Sequence, residues 1–232
     1  MIESWPTPNY INPETRGPGL LILSIILIIL GAIIVSVRTY TRLRITKAFG
    51  LDDVLVIIAY VLAVALSSLV IIGNTSYYSG RHIWDVPTST FVPHRHNIWA
   101  SELIYVLASS AAKISVLLFY RRLSMEFTSA FLWATHLGLA VNLIYLVFFV
   151  VWLCTLCQSL DAYWKSFSSV WRTDHKFHCR TEQVSLPLSA GLSMLTDLYA
   201  TLLPLILITS IQKSTRDKTA LWVLLRRSRA IC

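Results

Sequence analysis

Charge is what this sequence has least of. Asp, Glu, Lys and Arg make up 14% of its 232 residues, against roughly 25% in soluble globular domains. That shortage excludes an ordinary water-facing surface. Acids are scarcer still, 12 against 20 Lys and Arg, which leaves a net charge of +8. A basic excess serves nucleic acid only as a solvated basic face. Here most of the basic residues sit in short loops beside apolar runs, so nucleic-acid binding is not expected. Low-complexity tracts and internal repeats are missing, so no repeat architecture is expected. Missing too are a Ser/His/Asp elbow, a phosphate loop, a His-Glu-x-x-His helix and paired carboxylates at helical spacing. We expect no enzyme.

What is present is hydrocarbon. Hydrophobic residues make up 55% of the chain and the mean hydropathy is +0.62. Apolar runs of about 18 or more residues recur, each long enough to cross a core of roughly 30 Å. In lipid the backbone must bond internally, so only helices or closed barrels span. These runs are too long for barrel strands and do not alternate. The expected fold is all-α, a polytopic transmembrane helix bundle. Five complete spans are expected at about 20–37, 54–73, 98–120, 131–154 and 185–211, with a partial sixth beginning at Thr219. Residues 1–18 read as a proline-rich outer tail, 19–225 as the transmembrane domain and 226–232 as a basic end. The sixth run is cut by Arg226-Arg227-Ser228-Arg229, which reads either as an interfacial basic helix or as a truncated version of a longer protein, and truncation is the expectation.

The stretch that orients the chain is Arg38-Thr-Tyr40-Thr-Arg42-Leu-Arg44-Ile-Thr-Lys47-Ala-Phe-Gly50-Leu-Asp52-Asp53. Basic loops stay on the cytosolic side, so the N-terminus is expected outside. Alternation then puts 12 of the 20 Lys and Arg inside, 7 outside and Lys113 within the membrane. At the start of the second span, Gly50 is placed to close the preceding turn and Asp52 to cap the helix. Both Asp52 and Asp53 favour a helix N-terminus. The outer loop 74–96 begins with a sequon, Asn74-Thr75-Ser76, too close to the membrane for us to expect its use.

Several motifs in order make the chain resemble a known family. They are Arg38-x-Tyr40-x-Arg42, Gly50-Leu51-Asp52-Asp53, Lys113-Ile-Ser115 through Phe119-Tyr120-Arg121-Arg122, and Cys157-x-Ser159-x-x-Ala162-Tyr163-Trp164 with Cys179. Last comes Asp197 with Leu203-Pro204, Ile211-Gln212 and Lys218. Together these resemble the fungal rhodopsin-like integral membrane proteins, the pathogenicity-related, G-protein-coupled-receptor-like type. Ser159 stands where that family usually has Pro. The resemblance implies a seven-span receptor-like architecture, a plasma-membrane location, an extracellular ligand and a cytosolic G-protein-like partner. Retinal proteins hold their chromophore on a seventh-span lysine, and none is present here, so no cofactor is expected.

Three groups of residues are candidates for function. Cys157 and Cys179 share one outer loop and fit a disulfide. Free thiols are the alternative, and Cys154 is a competing partner. Glu102, Lys113 and Asp197 are charges inside the membrane, where such residues usually face a bundle interior and pair. Two readings stand for Lys113 and Asp197: a direct or water-bridged ion pair, or a lysine that snorkels toward the headgroups while Asp197 bonds a neighbouring Ser, Thr or carbonyl. Arg38, Arg42, Asp52 and Asp53 read either as a docking cluster or as topology signal plus helix cap. Five histidines, His82, His94, His96, His175 and His178, fall in the outer segments, where ordinary surface roles are expected over a metal site. The functional expectation is a receptor-like membrane protein. A small transporter or channel subunit and a non-signalling membrane fragment are the alternatives. Membrane lipids are expected partners, and a homo-oligomer is expected if five helices pack without further spans.

Overall fold

The computed structural model describes residues 6–7, 9, 12–15, 17–123, 129–180 and 187–203. Four long helices dominate: α1 (Gly19–Tyr40), α2 (Leu51–Thr75), α3 (Phe91–Leu123) and α4 (Ser129–Cys154). Two short helices follow, α5 (Ala162–Lys165) and α6 (Ser169–Asp174), then a helix at 187–203, α7. Among the described residues there is no strand, only isolated bridges. Four helices, α1 to α4 with their flanking turns, are long and apolar enough to cross a membrane. The expected fifth span is described only over 187–203. Its end, with Pro204, and the partial sixth span lie outside the described residues.

Helix ends differ from the sequence reading for identifiable reasons. α1 runs on through a wide π-turn, Thr41–Ile45, so the basic stretch is helical before it is a loop. α2 starts at Leu51, because Gly50 is its N-cap and the Asp53 carboxylate accepts the Gly50 N–H at 3.2 Å. The capping acid is therefore Asp53, at the third helical position, and not Asp52. Nor does Gly50 close a left-handed turn, since its backbone is extended. It is glycine for want of space: a Cβ there would sit 2.7 Å from Asp52 Oδ1. α3 begins at Phe91 rather than near Ile98, because its polar first turns find partners. Arg95 lies 4.4 Å over the Tyr163 ring, and His96 meets Trp164 edge-on at 4.8 Å. Asn74 is the penultimate residue of α2.

α2 packs on α1 and α3, and α3 on α4 and α5. α1 buries no residue at all. Helix contacts repeat one device, a polar side chain donating to a backbone carbonyl on a neighbouring helix. Tyr60 Oη bonds Ile28 O at 3.0 Å, beside Gly31. Asn97 Nδ2 bonds Leu69 O at 3.1 Å, and Ser115 Oγ bonds Asp52 O at 2.6 Å. Trp99 Nε1 reaches Leu153 O at 3.2 Å and Asn142 Nδ2 reaches Ser110 O at 3.1 Å. Tyr199 Oη ties α7 to Ala134 O of α4 at 2.6 Å. Such bonds contribute roughly 0.6–2 kcal/mol each between helices in lipid.

These links give the helices alternating directions. The ends of α1 and α3 meet the start of α2, and the end of α4 meets the start of α3. Apolar cores are small and local: Val106, Tyr145 and Phe149 at the α3–α4 seam, and Phe131 with Leu203 where α7 joins. Gly138 allows the closest approach, since a Cβ there would meet Tyr199 Cε1 at 2.7 Å and Leu117 Cδ2 at 3.3 Å. Gly138→Ala should therefore destabilise the bundle by about 1–3 kcal/mol, the usual effect of overpacking. Thermal unfolding of the purified chain in detergent will show a lower midpoint. An unchanged midpoint would mean that the Tyr199 ring is free to move away.

Candidate functional site

α3 takes part in two charged sites, one at Lys113 and the other reached by Arg122, nine residues further on. The first is built on Lys113, which is 5% exposed. Its Nζ lies 2.9 Å from Thr196 Oγ1, 3.0 Å from Ser193 Oγ, 3.1 Å from Ser193 O and 3.2 Å from Asp197 Oδ1. Ser193, Thr196 and Asp197 fall within about one turn of α7, so one helical face presents all of these oxygens. The Tyr145 ring of α4 sits 5.7 Å from the ammonium, and Tyr105 Oη is 3.3 Å from Ser193 Oγ. Lys113 thus joins α3 and α7 beneath an aromatic ring from α4. It lies about 21 Å along α3 from Trp99 and about 12 Å from Arg121, at mid-depth. The pair is asymmetric, because the Asp197 side chain is 57% exposed. The buried seam also holds Ser110 Oγ and Asn142 Oδ1, which have no hydrogen-bond partner among the described residues.

Retinal would need a lysine amine free to condense with it. The Lys113 ammonium has its protons engaged by Ser193, Thr196 and Asp197. Lys113 therefore does not fit that group.

The second site closes one end of the bundle. Arg38 bridges both acids, Nη2 to Asp52 Oδ2 at 3.1 Å and Nε to Asp53 Oδ1 at 3.0 Å. Arg42, one turn on, reaches Asp53 Oδ1 at 3.7 Å. Arg122 Nη1 stands 3.8 Å from Asp52 Oδ1 and donates to Ala48 O at 2.7 Å. Asp52 and Asp53 are 4% and 2% exposed. The guanidinium groups of Arg38 and Arg42 lie 5.5 Å and 5.1 Å from the Phe119 ring centroid, so an α3 aromatic supports the pair. Planar guanidinium suits this bridging in a way lysine does not. Tyr40 stays out of the cluster, 64% exposed.

At the other end, Cys157 and Cys179 are joined by a disulfide, and Cys154 is free and exposed. Gln158 N donates to His178 O at 3.2 Å and Arg180 N to Leu156 O at 2.8 Å. The loop therefore lies against the end of α4, over a core of Leu153, Leu156, Ala162 and Tyr163. Glu102 is half-buried on α3, about 16 Å along the helix from Lys113, and is not brought to it. His82 stacks on Trp84 and His175 on Trp171, each at 4.6 Å. Among the described residues no group of three metal-ligating side chains converges.

The sequence model of the fungal rhodopsin domain matches residues 37–232. That stretch holds every residue of both charged sites and the disulfide. The chain belongs to the fungal rhodopsin domain family. No curated protein and no solved structure matches it significantly. With its apolar helices, membership in the fungal rhodopsin domain family makes this a multi-pass membrane protein. Ser115 and Asn142, which sequence reasoning did not single out as site residues, are buried and link neighbouring helices. Polar residues inside apolar runs were the signal that could have found them.

Two measurements test these geometries. Surface expression and melting of Lys113→Ala, Asp197→Ala and the double variant should show a coupling of about 0.5–3 kcal/mol; simple additivity would dissolve the pair. Arg38→Ala strands two buried carboxylates. It should cost on the order of 2–4 kcal/mol, toward the low side because Arg42 and Arg122 remain nearby. Arg38→Lys should restore only part of that loss, since one ammonium cannot bridge both acids.

Proposed function

We propose that this chain is the membrane part of a receptor-like protein, with its N-terminus outside and the Arg38 cluster on the cytosolic face of the plasma membrane. The observation that carries the reading is the shared helix. Lys113 ties α3 to α7 at mid-depth, while Ser115, Phe119 and Arg122 tie the same helix to the Arg38 cluster. Rotation of α3 disturbs both sites at once, which is what a signal from one side of a membrane to the other requires. An extracellular cue would act near the disulfide end, and exposed Arg44 and Lys47 would face a G-protein-like partner. No catalytic role is assigned.

A buried charged pair equally suits an ion or substrate path, so a small transporter is the second reading. Single cysteines at Asn142 and Ser193, in a Cys154→Ala, Cys232→Ala background, separate the two. The receptor reading expects labelling by a membrane-impermeant thiol reagent from the disulfide side or from neither side. Labelling from both sides would replace it with a transporter.

A further inference from the structure

Outside the two charged sites, α4 presents a groove to the membrane. It has a volume of about 710 Å³ and is lined by two ridges of side chains. Leu143, Val147 and Val151 form one ridge at four-residue spacing, and Ile144, Phe148 and Trp152 the other. The five aliphatic and Phe side chains are 49–69% exposed. From Leu143 to Thr155 the groove runs about 18 Å at helical rise. Half of a hydrocarbon core is about 15 Å, so the groove is one leaflet long.

Its upper end is built differently. Arg180 overhangs it, with the guanidinium 5.4 Å from the Trp152 ring centroid. The chain holds Arg180 there on purpose-built ties: the Cys157–Cys179 disulfide precedes it directly, and its own N–H bonds Leu156 O at 2.8 Å. Among the described residues no carboxylate pairs with Arg180. The Trp152 Nε1 donor is shielded from solvent and has no acceptor there either. A charge thus stands over an apolar groove of leaflet length.

We propose that this groove holds one acyl chain of an anionic phospholipid, with its headgroup phosphate on Arg180. Charge complementarity at the upper end selects an anionic head over a zwitterionic one. The apolar slot selects a lipid over a soluble phosphate. The disulfide becomes part of a lipid site, because it fixes where Arg180 stands. The assignment does not depend on which side of the membrane this end faces.

Native mass spectrometry of the full chain with dioleoyl phosphatidylglycerol and dioleoyl phosphatidylcholine tests it. The anionic phosphatidylglycerol should bind about tenfold more tightly than the zwitterionic phosphatidylcholine, the equivalent of roughly 1.4 kcal/mol. Arg180→Ala should abolish that preference. Val147→Trp, which fills the slot and leaves Arg180 in place, should remove the bound lipid altogether. Leu202→Trp, at an exposed site on α7, should change neither and serves as the control. A preference that survives both Arg180→Ala and Val147→Trp would overturn the proposal. So would inorganic phosphate raising the melting temperature as much as the lipid does.

Discussion

Helices surrounded by hydrocarbon gain almost nothing by hiding apolar side chains from one another, since lipid tails are as apolar as leucine. Something else must choose their neighbours. In this protein the choice is made by polar groups that have no better partner than the next helix. Tyr60, Asn97, Trp99, Asn142 and Tyr199 each donate to a carbonyl across a helix contact. A carbonyl keeps a spare lone pair even inside a helix, so accepting such a bond does not break the helix. Small residues then set how near the backbones come, as Gly31 and Gly138 do beneath tyrosine rings. α3 sits at the centre because it is tied to α2, α4 and α7.

The two charged sites solve the same problem differently. At Lys113 a single cation is buried and satisfied by hydroxyls, a carbonyl and one carboxylate, so the ammonium replaces its water shell with protein oxygens. At the bundle end the anions are buried and the cations reach in from partly exposed stems. The Asp52 and Asp53 carboxylates are held by arginines on both sides, and Asp53 also by the Gly50 N–H, while Ser115 on α3 donates to the main-chain carbonyl of Asp52. Acids at a helix N-terminus also meet the favourable end of its dipole.

Much of the architecture was legible because length and hydropathy speak directly to a bilayer. Runs such as Leu20 to Val37 and Phe131 to Cys154 need no partner to be read as helices. Ends were harder. The polar first turns of α3 look like loop until Arg95 and His96 meet Tyr163 and Trp164, residues about 70 positions away. The cap of α2 was assigned to Asp52, whereas Asp53 has the spacing to fold back on the Gly50 N–H. Sequence left Lys113 and Asp197 between an ion pair and separate partners, because what brings them together is the α3–α7 contact and not a motif. Sequence left the cysteine pairing open among three thiols, and only the lie of the loop on α4 separates them. Asn142 and Ser110 carry no spacing signature, since what pairs them is a helix contact and not a motif.

The order in which the acids and bases occur along the chain has a consequence for how the protein is made. Arg38, Arg42, Asp52 and Asp53 all belong to the first 53 residues, and the bonds from Arg38 and Arg42 to the two acids need only α1 and α2. Two cations and two anions cancel. As synthesis proceeds, the first two helices can thus leave the translocon with these four charges already paired, before α3 has emerged. Arg122, Ser115 and Phe119 arrive later and find the pair already closed. α1, which buries no residue of its own, is kept in the bundle from that moment by charge at one end.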